Sequence, residues 1–454
     1  MVRRLALSRW RLVMLAGAMA VTPSACDTTT FLEIEDPDII NPSNVQSSAG
    51  ANAVRLGALA RLNSASSGGE SMLLLGGLFT DEWINGDSFI GRQEVDQRVI
   101  TVQNSFVTDA SRNLHRARLS AQQAIELLDE FAPAAPGWQS AEMYFVQAWI
   151  ENLAAETFCN GVVFSTVIDG VESYGTPMMI AQAFERALAH ADSGLTRVTG
   201  TTTDDNRVRN ALKVVRGRIL LNLNRPADAG TSVSGVPNTF TYNMLHSQTT
   251  NSNQIWNLNN LAWRYSVGNS EGTNGINFAT AADPRLPVCV GGDPVCRTNG
   301  VTRTTRDDLT APLHVQLVWP LRESPVALTS GVEARLIEAE AALRAQNSAS
   351  ALTILNTLRA TVTGLAPLVD AGTADARINQ LFRERAIWLF GRGYRLGDMR
   401  RLIRQYNRTA ASVFPVGAWH KGGNYGVDVN FPVPQAEQNN PNVPAGQTCI
   451  DRNA

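Results

Sequence analysis

Residues 381–402, LFRERAIWLFGRGYRLGDMRRL, set six arginines beside Glu384 and Asp398 among strongly apolar neighbours. Opposite charges at that density could grip an anion, trade protons, or lock helices together. Spacing separates these options. Ile378, Leu381 or Phe382, Arg385, and Trp388 or Leu389 recur at the period of one helix face. Glu384 then lies near an apolar stripe, where its charge is costly unless arginine or backbone donors meet it. Asp398 reaches Arg401 three positions on in the following helix, and Gly391 and Gly393 permit a left-handed turn between the two. Glu384, Arg385, Gly393, Arg395, Asp398 and Arg401 therefore read as an ion-pair lattice that fixes the angle between two helices, a structural role.

Other patterns that do chemistry do not occur. GTSVSG lacks the second glycine of a nucleophile elbow, and H-E-x-x-H, P-loop and EF-hand patterns are missing. None of the five histidines (His115, His190, His246, His314, His420) stands four positions from another, so no local metal pair forms. His115 and His190 fall in helical patterns and are expected to be hydrogen-bonded structural groups. Asp81 and Glu82, in GLFTDEWINGD, are adjacent and do not make the separated pair that glycoside cleavage needs; capping or loop-fixing is expected of them. A net charge of -2, from 39 basic and 41 acidic residues, gives no broad positive field for nucleic acid. The chain is expected to be a non-enzyme without cofactor or metal. An exported glycoside hydrolase and a helical-repeat scaffold joining other proteins are the alternatives.

The elements that must position these residues begin after an export signal. MVRRLALSRWR is basic, and LVMLAGAMAV, residues 12–21, is an apolar run too short to span a bilayer. Residues 1–25 read as a removable signal peptide. Cys26 follows small Ser24 and Ala25, where a bacterial lipoprotein carries its diacylglyceryl cysteine; Pro23 stands where an aliphatic residue is usual. Lipid on Cys26 would tether the protein to a membrane without crossing it. The other four cysteines, Cys159, Cys289, Cys296 and Cys449, permit two disulfides in an exported chain. Cys289 and Cys296 enclose the short, turn-rich VGGDPV and are the favoured local bridge.

Residues 31–45 mix acids with prolines and suggest an extended arm. Helical patterning follows. In residues 113–131, Leu114, Ala117, Ala121, Ala124 or Ile125, and Leu128 share one face. AEMYFVQAWIENLAAETF repeats this with Phe145, Ala148 or Trp149, and Asn152 or Leu153. Between about 223 and 330, Gly, Pro, Asn, Ser and Thr crowd together, which predicts irregular excursions with short helices and strands over a helical scaffold. Helical order returns in GVEARLIEAEAALRAQ, through Val332, Leu336, Ala339 and Leu343. A short NSAS turn leads to ALTILNTLRA, where Leu352, Leu355 and Leu358 align. Two helices so joined are expected to lie antiparallel, like one tetratricopeptide hairpin. The fold class is mainly α: a tetratricopeptide-like hairpin scaffold decorated by irregular loops and short strands, forming one domain over 26–454.

In combination these motifs resemble the SusD/RagB family of outer-membrane nutrient-binding lipoproteins. That family's C-terminal run carries E-R, a glycine-arginine turn and D-x-x-R, matched by Glu384, Arg385, Gly393, Arg395, Asp398 and Arg401. Glu338 and Glu340 match its E-A-x pattern, Asn356 and Arg359 its L-N-x-x-R, Asp283 and Arg285 its D-x-R element. Pro432, Pro434, Glu437 and Asn440 match its final segment. The resemblance implies a lipid-anchored outer-membrane protein built on four tetratricopeptide-like hairpins. It also implies that the protein caps a TonB-dependent, SusC-like transporter and passes it a glycan or other nutrient without cleaving it. Family members present an arc of aromatics to sugar faces, with amides nearby for the hydroxyls. Candidates here are Trp83, Phe89, Trp256, Trp263, Tyr265 and Trp419, with Asn257, Asn259 and Arg264 as polar companions.

Overall fold

A computed structural model of the chain describes residues 45–168, 171–296 and 300–454. The signal segment 1–25, Cys26 and the acidic arm before residue 45 lie outside the described residues. Apolar residues at helical spacing, capped by short polar side chains, define the main elements: α1 (Ser48–Ala65), α2 (Met72–Phe79), α3 (Ile90–Gln97), α4 (Ser105–Phe131), α5 (Gly137–Thr157), α6 (Ile180–Arg197), α7 (Thr203–Asn222), α8 (Pro226–Ser232), α9 (Gly331–Arg344), α10 (Ser348–Arg359), α11 (Ala374–Trp388) and α12 (Arg395–Tyr406). Thr202 and Asp205 form a reciprocal cap at the start of α7, satisfying two amides that the helix itself leaves free. Among the described residues no helix is long and apolar enough to cross a bilayer.

The helices pack in pairs: α1 with α4, α5 with α6, α7 with α8, and α9 with α10. Neighbouring pairs then meet through α4 and α5, α6 and α7, and α8 and α9, so each hairpin buries faces that it could not bury alone. The α9–α10 turn is Ala345–Asn347, with Gln346 at φ 60°. The serines of NSAS belong to α10, because Asn347 caps the amide of Ser350 and draws them into the first turn. Helix α5 departs from the one-faced pattern of its sequence. Residues 140–157 are buried except Tyr144, because α1, α4, α6, α7 and α12 surround the helix. Its polar side chains survive there by pairing: Glu142 with Arg55 and Arg207, Glu151 with Arg186 and His190, Glu156 with Arg218.

The irregular region starts later than 223, since α8 packs into the scaffold against α7 and α9. Short strands pair two by two: β1 (Trp83–Asn85) with β5 (Tyr265–Val267), β2 (Thr166–Ile168) with β3 (Val171–Ser173), β4 (Thr241–Met244) with β8 (Val326–Ser330), and β6 (Val288–Val290) with β7 (His314–Gln316), all antiparallel. Cys289 and Cys296 are bonded across their turn, with Cα atoms 5.7 Å apart. Cys159 is bonded to Cys449, joining the end of α5 to the C-terminal segment across 290 residues of chain.

The charged C-terminal run is a buried lattice that reaches well beyond two helices. Arg385 on α11 holds Asp398 on α12 with two hydrogen bonds of 2.7 and 2.9 Å. Arg401 bridges Asp398 at 2.8 Å and Glu340 on α9 at 3.1 Å, and the Tyr406 hydroxyl donates to Glu340 at 2.7 Å. Glu384 turns away from α12 and accepts from Arg359 on α10 at 2.7 Å and from Arg285, itself paired with Asp283. Arg395 clamps Asp81 at 2.7 and 2.8 Å, and Arg400 donates to the carbonyls of Ala155, Glu156 and Phe158 at the end of α5. Burial pushes the Asp398 carboxyl up, but Arg385 and Arg401 outweigh it and hold the group at about 2. Gly391 and Gly393 adopt φ 68° and 77° between the helices; a Cβ at Gly393 would come within 2.9 Å of Leu73.

Two predictions follow from this packing. Arg385→Ala leaves Asp398 one cation short in the core and is expected to cost about 3–5 kcal/mol in urea unfolding. The double change Arg385→Met with Asp398→Leu is expected to cost less, because Arg401 keeps Glu340. Glu82 gives the second. Burial pushes its carboxyl from 4.5 up to about 8, opposed by the Gly391 amide that donates to it at 2.9 Å. A raised carboxyl contributes its full stability below the unfolded value and loses it as pH rises through the folded one. Relative to Glu82→Gln, the wild type should therefore lose on the order of 3–5 kcal/mol between pH 4.5 and 8; a flat difference would contradict this.

Candidate functional site

Three chain segments converge beside the β1–β5 pair. Trp83 pairs with Val267 and Asn85 with Tyr265. The ladder continues as Gly86 N–H donates to the Arg264 carbonyl at 2.7 Å. The 303–310 segment joins when the amides of Asp307 and Asp308 donate to the carbonyls of Trp263 and Gly86 at 3.1 and 2.7 Å. Lys421 adds a further segment through Asp308, at 2.6 Å, and the Asp87 carbonyl. Irregular backbone is thereby pinned at several points, and the side chains it carries have a fixed bed.

On that bed stand Phe89, 48% exposed, and Ile90, 72% exposed. The Arg264 guanidinium lies 5.4 Å from the Phe89 ring centre, and Phe106 meets Phe89 edge-on at 6.1 Å. Trp263, at φ 55°, is half-buried: it packs against the apolar cluster around the Cys289–Cys296 bridge, and Arg303 lies 4.6 Å from its ring. Beneath, Arg92 pairs with Asp87 and Glu70, and the Tyr265 hydroxyl donates to Glu70 at 2.7 Å. The surface offers apolar ring faces beside guanidinium donors, with Asp307 as an exposed acceptor 3.6 Å from Arg264. That combination suits a ligand with an apolar face and hydroxyls at its edge.

Of the residues expected to contact ligand, Phe89, Trp263 and Arg264 reach this surface. The other six are corrected. Trp83 and Tyr265 are fully buried and pack edge-on at 6.3 Å, because every residue of the β1–β5 pair is covered. Trp256 is buried and donates to the Pro320 carbonyl at 3.0 Å. Trp419, 7% exposed, donates to Asp96 at 3.0 Å and acts as a post under the surface. Asn257 is half-buried and bonds Gln254 at 2.9 Å, while Asn259 is buried and holds backbone carbonyls of Tyr265 and His314. Asp81 and Glu82 are buried under the arginine lattice and the Gly391 turn, away from any open cleft.

One aromatic escaped sequence reasoning. Trp138, at the start of α5, is half-buried on a groove of about 460 Å³ with Asn63, Asn243, Asn251 and Leu245. Its signal was the single P-G-W step before a helix, which carries no periodicity to mark a binding role. Arg55 and Arg207 flank its ring but both pair with Glu142. Among the described residues no group of three or more His, Cys, Asp or Glu side chains is arranged to hold a metal ion.

No protein-family model matches the sequence, and no curated protein matches it. The fold, by contrast, is shared with solved structures. A SusD superfamily protein from Parabacteroides distasonis superposes with a TM-score of 0.63 at 15% identity, over 88% of this chain and 99% of that one. A SusD-like protein from Bacteroides fragilis gives 0.61 at 13% identity, over 88% and 96%. A SusD-like carbohydrate binding protein from Bacteroides vulgatus gives 0.57 at 13% identity, over 78% and 83%. The chain has the SusD-type fold.

Proposed function

We propose that this protein is a cell-surface nutrient-binding lipoprotein of the SusD type, held in the outer membrane by lipid on Cys26. It captures a glycan or related nutrient without cleaving it and passes it to a TonB-dependent, SusC-like transporter. The observation that carries the reading is the rigidly seated surface of Phe89, Trp263 and Arg264 on a SusD-type fold. The basic and apolar N-terminal signal, ending at Cys26, supports export and anchoring. The carbohydrate-binding relative from Bacteroides vulgatus supports the ligand class. Catalysis finds no support at Asp81 and Glu82, since both carboxyls are buried and engaged within the fold.

Binding to a panel of immobilised polysaccharides tests the reading. Phe89→Ala with Trp263→Ala is expected to weaken capture about tenfold, each ring contributing roughly 0.5–1.5 kcal/mol. Trp138→Ala should leave capture unchanged; the reverse pattern would move recognition to the α5 groove, and released reducing ends would contradict a binding-only role. Anchoring is checked separately. Cys26→Ala should abolish labelled-palmitate incorporation and release the protein from the membrane fraction.

A further inference from the structure

Helix α4 presents a polar face distinct from the proposed recognition surface. Ser111, His115 and Arg118 lie on one stripe of the helix and line a cavity of about 200 Å³, closed opposite by Val163, Pro434 and Glu437. Arg118 is fully buried, yet its Nε and Nη1 have no hydrogen-bond partner; only Nη2 donates, to the Ser165 carbonyl. The arginines of the buried lattice described above each meet a carboxylate or a set of carbonyls, whereas Arg118 meets a single carbonyl. An unmatched buried guanidinium is expensive, and a water-filled polar cavity or an anion relieves it.

His115 was expected to be a hydrogen-bonded structural group. Among the described residues it makes no hydrogen bond, and its ring stacks at 5.9 Å from Phe164 instead. Burial, reinforced by Arg118, pushes it down to about 3, so it is neutral at pH 7 and does not add a second positive charge. Arg118 is itself pushed down by burial to about 10 and remains charged. The cavity therefore holds one buried positive charge; Arg112 on its rim is exposed and already paired with Asp109 at 2.8 Å. Glu151 and Glu437 are near enough to Arg118 to be felt but outside ion-pair distance, and Glu151 is held by Arg186 and His190.

We propose that this cavity binds a small monocarboxylate whose charge is met by the open N–H donors of Arg118. The apolar wall of Val163 and Pro434 receives the short body of the acid, and the Ser111 hydroxyl and neutral His115 ring stand beside its head. One negative charge balances the buried Arg118 guanidinium, since Arg112 is already met by Asp109, whereas a phosphate dianion would be left in excess beside Glu437. The volume admits an acid of a few carbons and excludes a polysaccharide, so the site is separate from glycan capture and does not rest on it.

Titration calorimetry on the purified mature protein at pH 7 tests this with sodium propionate, its neutral isostere propionamide, and inorganic phosphate. Saturable propionate binding is expected, with none by propionamide and weaker binding by phosphate. Arg118→Gln should weaken propionate at least tenfold, and Glu437→Gln, which removes the carboxylate lining the cavity, should tighten it several-fold. If Arg118→Gln does not fold, Arg118→Lys serves, keeping the charge but losing the planar donors, and should still weaken binding. The proposal is overturned by an absence of saturable propionate binding to the wild type, by equal binding of propionamide, by preference for phosphate, or by binding indifferent to the Arg118 variants.

Discussion

A charge taken out of water must meet its opposite, and in this fold that requirement ties distant parts of the chain together. Glu340, Glu384, Arg385, Asp398 and Arg401 are all buried, and each is paired with at least one partner from another element. Removing one member leaves another stranded in low dielectric, which is far more costly than losing an exposed pair. The lattice thus fixes how α9, α10, α11 and α12 sit together. Arg400 extends the same logic without a carboxylate, by meeting three carbonyls at the end of α5.

The lattice also reaches the proposed recognition surface. Arg395 holds Asp81, and the Gly391 amide holds Glu82, immediately before Trp83 opens β1. The Asp81 carboxylate accepts from the Ile276 amide at 2.9 Å, and the Glu82 carbonyl from that of Gly268 at 2.8 Å. From there the β1–β5 pair carries the chain to Phe89 on one side and Trp263 on the other. The carboxylates that look most catalytic in the sequence are therefore the joint between scaffold and surface. Side chains exposed to ligand can vary in such a design while the joint beneath them stays rigid.

Local chemistry in the sequence foretold the helices and the lattice members, because helical period and the price of a buried charge are both readable within a few residues. Asp398 with Arg401 was visible at three positions' spacing. The partners supplied from afar were not: Asp81 meets Arg395 across 314 residues, and Glu340 meets Arg401 across 61. Aromatic roles were read least well. Composition cannot tell a tryptophan that faces solvent from one that faces inward along a three-residue strand, so Trp83 and Tyr265 looked like recognition residues and are core. Phe89 and Trp138 owe their exposure to the turn and helix start on which they sit. The open donors of Arg118 depend on what packs opposite α4, which no local pattern encodes.

Native-state amide exchange over the whole chain, with and without a captured carbohydrate, tests the central claim most directly. A brace predicts that amides of 381–402 exchange only with global unfolding and are indifferent to ligand, while ligand slows exchange at 86–90, 263–265 and 303–309. Ligand-dependent protection concentrated at 381–402, or rapid local opening there in the free protein, would contradict the account.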